Sequence, residues 1–118
     1  MNLQETTLFQ IASQRLQWLS DRQRVISENI ANADVAEYRA RDVESFESYL
    51  TSSTSDTGRA QQAKILEADV TWGEDVTGNN VVLEEQMMLA SSTAGQYRVA
   101  SNLYRKAQEM LMSVASGR

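Results

Sequence analysis

Apolar side chains recur in alternating steps of three and four over residues 7 to 33, at Phe9, Ala12, Leu16, Leu19, Ile26, Ile30 and Ala33, with Gln23 the one polar member of the series. That spacing places the set on one stripe of an α-helix, because successive residues turn by about 100°. Leu8, Ile11, Trp18 and Val25 widen the stripe on one side. A helix of about 27 residues is roughly 40 Å long, which suits a rod or a coiled coil better than a small compact domain. A second long pattern runs from Val81 to Ala115, through Leu83, Met87, Ala90, Ala94, Tyr97, Leu103 or Tyr104, Ala107, Met110 or Leu111, and Val114, and its cleanest run is Ala100, Leu103, Ala107, Met110 and Val114. Asn79 and Asn80 offer a cap ahead of it, after Gly78. Glu84 and Glu85 in its first turns and Arg105 and Lys106 near its end match the helix dipole, and Gly117 marks the stop.

The chain between these two patterns loses the helical period. Residues 40 to 50 place Val43, Phe46 and Leu50 three and four apart, which fits either a short helix or an extended arm anchored by Phe46 and Tyr49. Residues 51 to 62 are polar and rich in Ser and Thr and read as a flexible loop. Ile65 to Trp72 reads as a strand, in a hairpin or alone, with turn signals at Gly73 and Gly78. The predicted fold is therefore mostly α. Two long terminal helices pair as an antiparallel coiled-coil-like hairpin, with an extended arm and a small irregular or β middle segment. The boundaries fall at 1–34 for the N-terminal helix, 35–79 for junction, arm and polar middle, and 80–118 for the C-terminal helix.

Composition narrows the function. The chain has 118 residues, no His, no Cys and no Pro. Without His or Cys it lacks the commonest general base, the usual nucleophilic thiol and the usual soft metal ligands. It has no Gly-rich phosphate loop. The adjacent Glu84 and Glu85 do not share a helix face, and Asp34 with Glu37 has no nucleophile beside it. No enzyme, metal or cofactor is expected. The net charge of −5 argues against nucleic acid as a partner. No apolar run approaches the roughly 20 residues of a membrane span, so no stable membrane insertion is expected. Asp21, Arg22, Arg24 and Glu28 read as a solvated helix face, and Trp18 as a packed core residue.

The first helix ends in an unusual stretch, NIANADVAEYRARD, residues 29 to 42. It holds small residues at Ala31, Ala33, Ala36 and Ala40, and amides at Asn29 and Asn32 that can bond the last helix carbonyls. This stretch resembles the signature of the bacterial flagellar rod and hook proteins, whose usual form is close to N-I-A-N-A-D-T-P-G-Y-K-A. Asn29, Ile30, Ala31, Asn32, Ala33, Asp34, Tyr38 and Ala40 match it, with Arg39 in place of a Lys, and Val35, Ala36 and Glu37 stand where Thr-Pro-Gly is usual. The stretch from Thr77 to Leu111, beginning TGNNVVLEEQMM, resembles the same family's C-terminal motif and points to the short proximal members of the rod. Val82 replaces a usual Asp cap, for which Asn80 is expected to substitute, and Asn32 or Asp34 is expected to make the turn that Pro-Gly would make.

The resemblance implies a structural subunit of the flagellar basal-body rod, which transmits torque as part of a helical tube. It implies a periplasmic location, export without a cleaved signal peptide, and self-association in the rod. The implied partners are other flagellar rod proteins, the hook–basal body adaptor protein, and MS-ring or export-gate components. The subunit interface expected on this basis comprises Leu16, Leu19, Ile26, Asn29, Ile30, Asn32, Ala33, Tyr38, Met87, Tyr97, Leu103, Met110 and Val114. Leu16, Ile26 and Ile30 are expected to face Leu103, Met110 and Val114, within the chain or across to a neighbour. The apolar surface around Leu8, Ile11, Trp18 and Val25 on the first helix, and Met87, Met88 and Leu89 on the second, is expected to remain for other subunits, because two helices cannot cover it. A helical adaptor or scaffold that binds a partner through its apolar helix face is the other reading left open.

Overall fold

A computed structural model describes residues 3–53, 61–69 and 73–117, leaving out the side chains of residues 3–6. Helix α1 spans Leu3–Ala31 and α3 spans Leu83–Ala115. Between them lie β1 (Arg41–Val43), α2 (Phe46–Ser53) and β2 (Ile65–Glu67). The molecule is elongated, 64 × 28 × 19 Å.

The two long helices form the antiparallel hairpin that their periodicity predicts. Phe9 packs on Tyr104 with ring centroids 4.8 Å apart, Arg15 donates to Gln96 at 3.3 Å, and Asn29 donates to Gln86 at 3.0 Å. On α1 the line of closest packing is Ala12, Leu19 and Ile26, all buried and seven residues apart. On α3 it is Gln86, Thr93, Ala100 and Ala107, again seven apart. The α3 line is small or polar, which lets the backbones approach, and the larger side chains flank it. Consequently Leu83, Met87, Tyr97, Leu103 and Met110 stay exposed, and so does Val114, at the end of the line beyond Ala107.

This register corrects one expectation. Within the chain Ile26 lies among Val82, Gln86 and Leu89, at the start of α3, and not against Met110 or Val114. An antiparallel pair necessarily brings the end of α1 to the beginning of α3.

The middle of the chain folds back on α1. Trp18 and Val25 are buried there with Val43, Tyr49 and Ala63, so this side is covered by the chain's own arm and only Leu8 and Ile11 remain open. Trp18 donates its indole N–H to the Glu44 carbonyl at 2.7 Å and meets Phe46 edge-on at 5.8 Å. Burial of a side chain such as Val25 or Leu19 stabilises by about 1.5–3 kcal/mol. Asp21 belongs to this contact and not to a solvated face, because its carboxylate accepts the Ala63 N–H at 2.8 Å. Arg22 reaches Asp42 at 3.3 Å, while Arg24 and Glu28 form the exposed pair expected of them.

Residues 40 to 50 supply both a strand and the start of a helix. Thr51, Ser52 and Ser53 complete α2 and are not loop, and Ser53 is buried where it accepts a bond from Gln14 at 2.9 Å. Gln61 and Gln62, at the end of the expected loop, lie in no helix or strand, and residues 54–60 lie outside the described residues. Strand β2 is shorter than the expected Ile65–Trp72 and pairs antiparallel with β1, with Asp42 opposite Leu66. Trp72 lies outside the described residues.

Candidate assembly interface and the junction that shapes it

The stretch that ends α1 is held by one side chain above all. Asn29 is fully buried, and its amide uses its whole hydrogen-bonding capacity. Nδ2 donates to the Arg41 carbonyl at 2.7 Å and to Gln86 Oε1 at 3.0 Å. Oδ1 accepts from the Tyr38 hydroxyl and from the Arg41 N–H, both at 3.0 Å. Three elements, α1, the arm and α3, therefore meet on a single amide. Asn32 does what its position suggested, donating back to the Glu28 carbonyl at 2.8 Å to cap the last turn of α1.

Asn79 and Asn80 have a different task from the expected one. Helix α3 starts after Val82, and no side chain caps it. Asn79 instead donates to the carbonyls of Asn32 and Val35 at 2.9 and 2.7 Å, and its own Oδ1 accepts the Val81 N–H. Asn80 accepts the Ala40 N–H on its side chain and donates its backbone N–H to Tyr38 at 3.3 Å. Glu37 donates its N–H to the Thr77 carbonyl at 2.8 Å. The two stretches picked out at residues 29–42 and from Thr77 onward thus form one hydrogen-bonded knot.

Neither Asn32 nor Asp34 makes the left-handed turn. Glu37 does, with φ of 63°. It occupies the place where the resembled signature has Gly, the residue that adopts this conformation without steric cost. Gly78 sits against it at φ of 82°, and a Cβ there would meet Glu37 at 3.4 Å. The turn from Asp75 to Asn79 is closed by one carboxylate oxygen, Asp75 Oδ1. It accepts from the Thr77 hydroxyl at 2.6 Å, the Thr77 N–H at 2.8 Å and the Asn79 N–H at 3.1 Å. Those bonds hold the Asp75 carboxyl below its ordinary range, the Thr77 hydroxyl contributing most. Arg39 clasps the arm from outside, reaching Glu67 at 3.1 Å and Glu74 at 2.9 Å.

The interface residues expected from sequence now fall into two groups. Leu19, Ile26 and Asn29 are buried inside the chain, and Leu16, Ile30, Asn32, Ala33 and Tyr38 are half-buried at the hairpin and junction. Met87, Tyr97, Leu103, Met110 and Val114 are exposed on α3, and Leu83, Met88, Val99 and Met112 join them. Helical geometry divides most of this exposed set into two flanks. Leu83, Met87, Ala94 and Tyr97 lie on one side of the buried line, and Val99, Leu103 and Met110 on the other, while Val114, seven residues past Ala107, continues the line itself where it is no longer covered. Leu8 and Ile11 of α1 are exposed as well, at 39% and 42%. The signal for Val99 was in the sequence, four residues before Leu103, but it lay off the predicted stripe. Among the described residues no group of Asp and Glu could hold a metal ion. No described helix is long and apolar enough to cross a membrane.

Comparison with known proteins agrees with the junction. Residues 9–39 match the family described as flagella basal body rod protein. Across 94% of its length the chain is 28% identical to the flagellar basal body rod protein FlgB of Agrobacterium fabrum, of which it covers 94%. The family match takes in most of α1 and the turn through Glu37, the part of the molecule that Asn29 organises.

Proposed function

We propose that this chain, a FlgB-like structural protein of the flagellar basal-body rod, assembles through the two exposed flanks of α3 while its buried seam and junction hold the subunit together. The observation that carries this reading is the exposure of Leu103, at 49%, and Met110, at 47%, over a hairpin whose closest line is already filled by small residues. A large apolar surface on a long, thin molecule stabilises when neighbours cover it. The division differs from the interface first expected. Leu19, Ile26 and Asn29 act within the subunit, and Met87, Tyr97, Leu103, Met110 and Val114 act between subunits.

On this reading the rod is periplasmic, the chain reaches it through the flagellar export apparatus without a cleaved leader, and other rod proteins surround it. The hook–basal body adaptor protein and components of the MS ring or export gate are its further partners on this reading. Paired helices bonded at the junction suit torque transmission, because twist then acts on packed side chains and hydrogen bonds together.

Leu103→Asp tests the proposal. The purified variant should keep the helicity and melting behaviour of the parent, since the side chain is exposed. Cells carrying it in place of the normal chain should be non-motile, with incomplete rods by electron microscopy. Normal swimming would remove this flank from the interface. A discrete complex of fixed stoichiometry with one partner, in place of rods, would favour the adaptor reading.

A further inference from the structure

The small sheet has one edge in use and one edge open. In an antiparallel pair, residues bonded across the pair alternate with residues whose backbone groups point outward. Glu44 donates its N–H to the Lys64 carbonyl at 2.8 Å, and Ala68 donates to the Ala40 carbonyl at 2.9 Å. Asp42 lies opposite Leu66, midway between those two bonds. Leu66 is therefore bonded inward, and Ile65 and Glu67 turn their N–H and C=O groups away from β1. The same rule turns Arg41 away from β2, and there the chain supplies a partner. Asn29 accepts the Arg41 N–H and donates to the Arg41 carbonyl. On the other edge no described residue does this for the backbone of Ile65 or Glu67. Ile65 is 40% exposed and Leu66 53%.

Unpaired backbone groups at strand spacing are a template for one more strand. Bare edges are usually blunted by charge or proline, whereas Ile65 and Leu66 make up most of this one. The side chain that such a strand carries follows from the cleft beside it. Leu66 and Asp69 form one wall of a cleft of about 280 Å³, and Val82, Glu85 and Leu89 at the start of α3 form the other. Two more carboxylates of the lining are matched by cations, Asp42 by Arg22 and Glu67 by Arg39. Asp69 and Glu85 have no such match among the described residues, and Arg41 of the lining lies over the Tyr38 ring at 5.8 Å. The cleft thus keeps unmatched negative charge above an apolar wall. On an added strand, the residue opposite Leu66 shares the face of Leu66 and reaches this cleft. We propose that the open edge of β2 is extended by a strand of an adjoining rod subunit, which bonds through its backbone to Ile65 and Glu67 and sends a Lys or Arg side chain into the cleft toward Asp69 and Glu85. Leu66, Val82 and Leu89 take the apolar stem of that side chain, and the carboxylates take its charge. The inference rests on the rod reading above and adds to the flanks of α3 a second contact, made by the arm.

Proline makes the test selective. At residue 65 it removes an outward N–H and leaves the inward bonds of Lys64, Leu66 and Ala68 in place, so purified Ile65→Pro should melt within a few degrees of the parent. In a strain lacking the normal gene copy, Ile65→Pro should lower the number of complete rods about fivefold or more, the equilibrium worth of one lost hydrogen bond per contact. The pair Asp69→Asn and Glu85→Gln should lower it too, with the melting temperature unchanged. A photo-reactive side chain at Glu67 should link to an extended segment of another rod subunit that carries Lys or Arg beside the adduct. This crosslink decides the matter even where the proline variant is unstable. Normal rod numbers with Ile65→Pro or with the paired carboxylate changes, no adduct between subunits from residue 67, or an adduct on a helix would each overturn the inference. If the strain lacking the gene swims before any complementation, the rod reading itself fails, which separates the two outcomes.

Discussion

Replacing Asn29 with Leu is the sharpest test of how the subunit is held. The two side chains share the same branched skeleton of heavy atoms, so the change removes the hydrogen bonds while keeping the overall shape. Four are lost, of which the bond to Gln86 is fully buried and the other three are partly so. An orphaned buried acceptor costs about 1–3 kcal/mol, and a partly exposed bond that water can replace costs about 0.5–1 kcal/mol. The sum, reduced somewhat by the apolar contact of Leu, is about 3 kcal/mol. That is a large fraction of the roughly 5–15 kcal/mol that holds a typical domain. Urea unfolding followed by the fluorescence of buried Trp18 should show the midpoint falling by roughly 1–3 M, given slopes of about 1–3 kcal/mol per M. Adding Gln86→Leu should recover part of the loss, since it removes the orphan that the first change creates, and the two changes should couple by about 1 kcal/mol or more. An Asn29→Leu chain as stable as the parent would refute the hub assigned to this amide.

Other expectations follow from the same contacts. Glu37→Gly should raise the melting temperature by a few degrees or leave it unchanged, because relief of a left-handed conformation worth about 1–2 kcal/mol outweighs or balances the added chain entropy, whereas Glu37→Val should lower it. Ile26→Asp should unfold the free subunit, and not merely block assembly, since an unpaired buried charge costs several kcal/mol; circular dichroism of dilute protein decides between these. Burial, aided by Asp21 and Glu44, raises the pKa of the Tyr49 phenol, so ultraviolet titration of the parent against Tyr49→Phe should assign to this residue an ionisation above the ordinary phenol range, with stability falling as pH rises above about 10. Asp75 shifts the opposite way, so the stability it contributes is present above the ordinary carboxylate pKa and lost as pH falls through its lowered value, a dependence that Asp75→Asn should remove.

The sequence made the helices and their antiparallel pairing legible because heptad spacing on α1 is a local property: Ala12, Leu19 and Ile26 are both apolar and buried. The line on α3 was legible only in part, for a physical reason. Ala100 and Ala107 stand in the predicted run and are buried, but apolar size also put Leu103 and Met110 there, which stay exposed, and passed over Thr93 and Gln86, which close helix packing tolerates. The asparagines at 79 and 80 have the composition of a cap, and only their distant partners at residues 32 to 40 reveal the other role. The same holds for α2, whose polar Ser and Thr resemble loop until Tyr49 and Ser53 are seen buried against the rest of the fold. The turn at Glu37 could have been found from the signature, since it stands at the usual Gly, but nothing in its own chemistry favours positive φ.

The central claim is that the flanks of α3, and not its buried line, join this subunit to its neighbours. Site-specific photo-crosslinking in motile cells tests it, with the reactive side chain placed in turn at Leu103, Met110 and Ala107. Leu103 and Met110 are exposed, while Ala107 is fully buried in the hairpin. The account predicts higher-mass adducts with rod proteins from Leu103 and Met110, and from Ala107 only a link within the chain or loss of the folded subunit. Adducts between subunits from Ala107, with none from Leu103 or Met110, would contradict it.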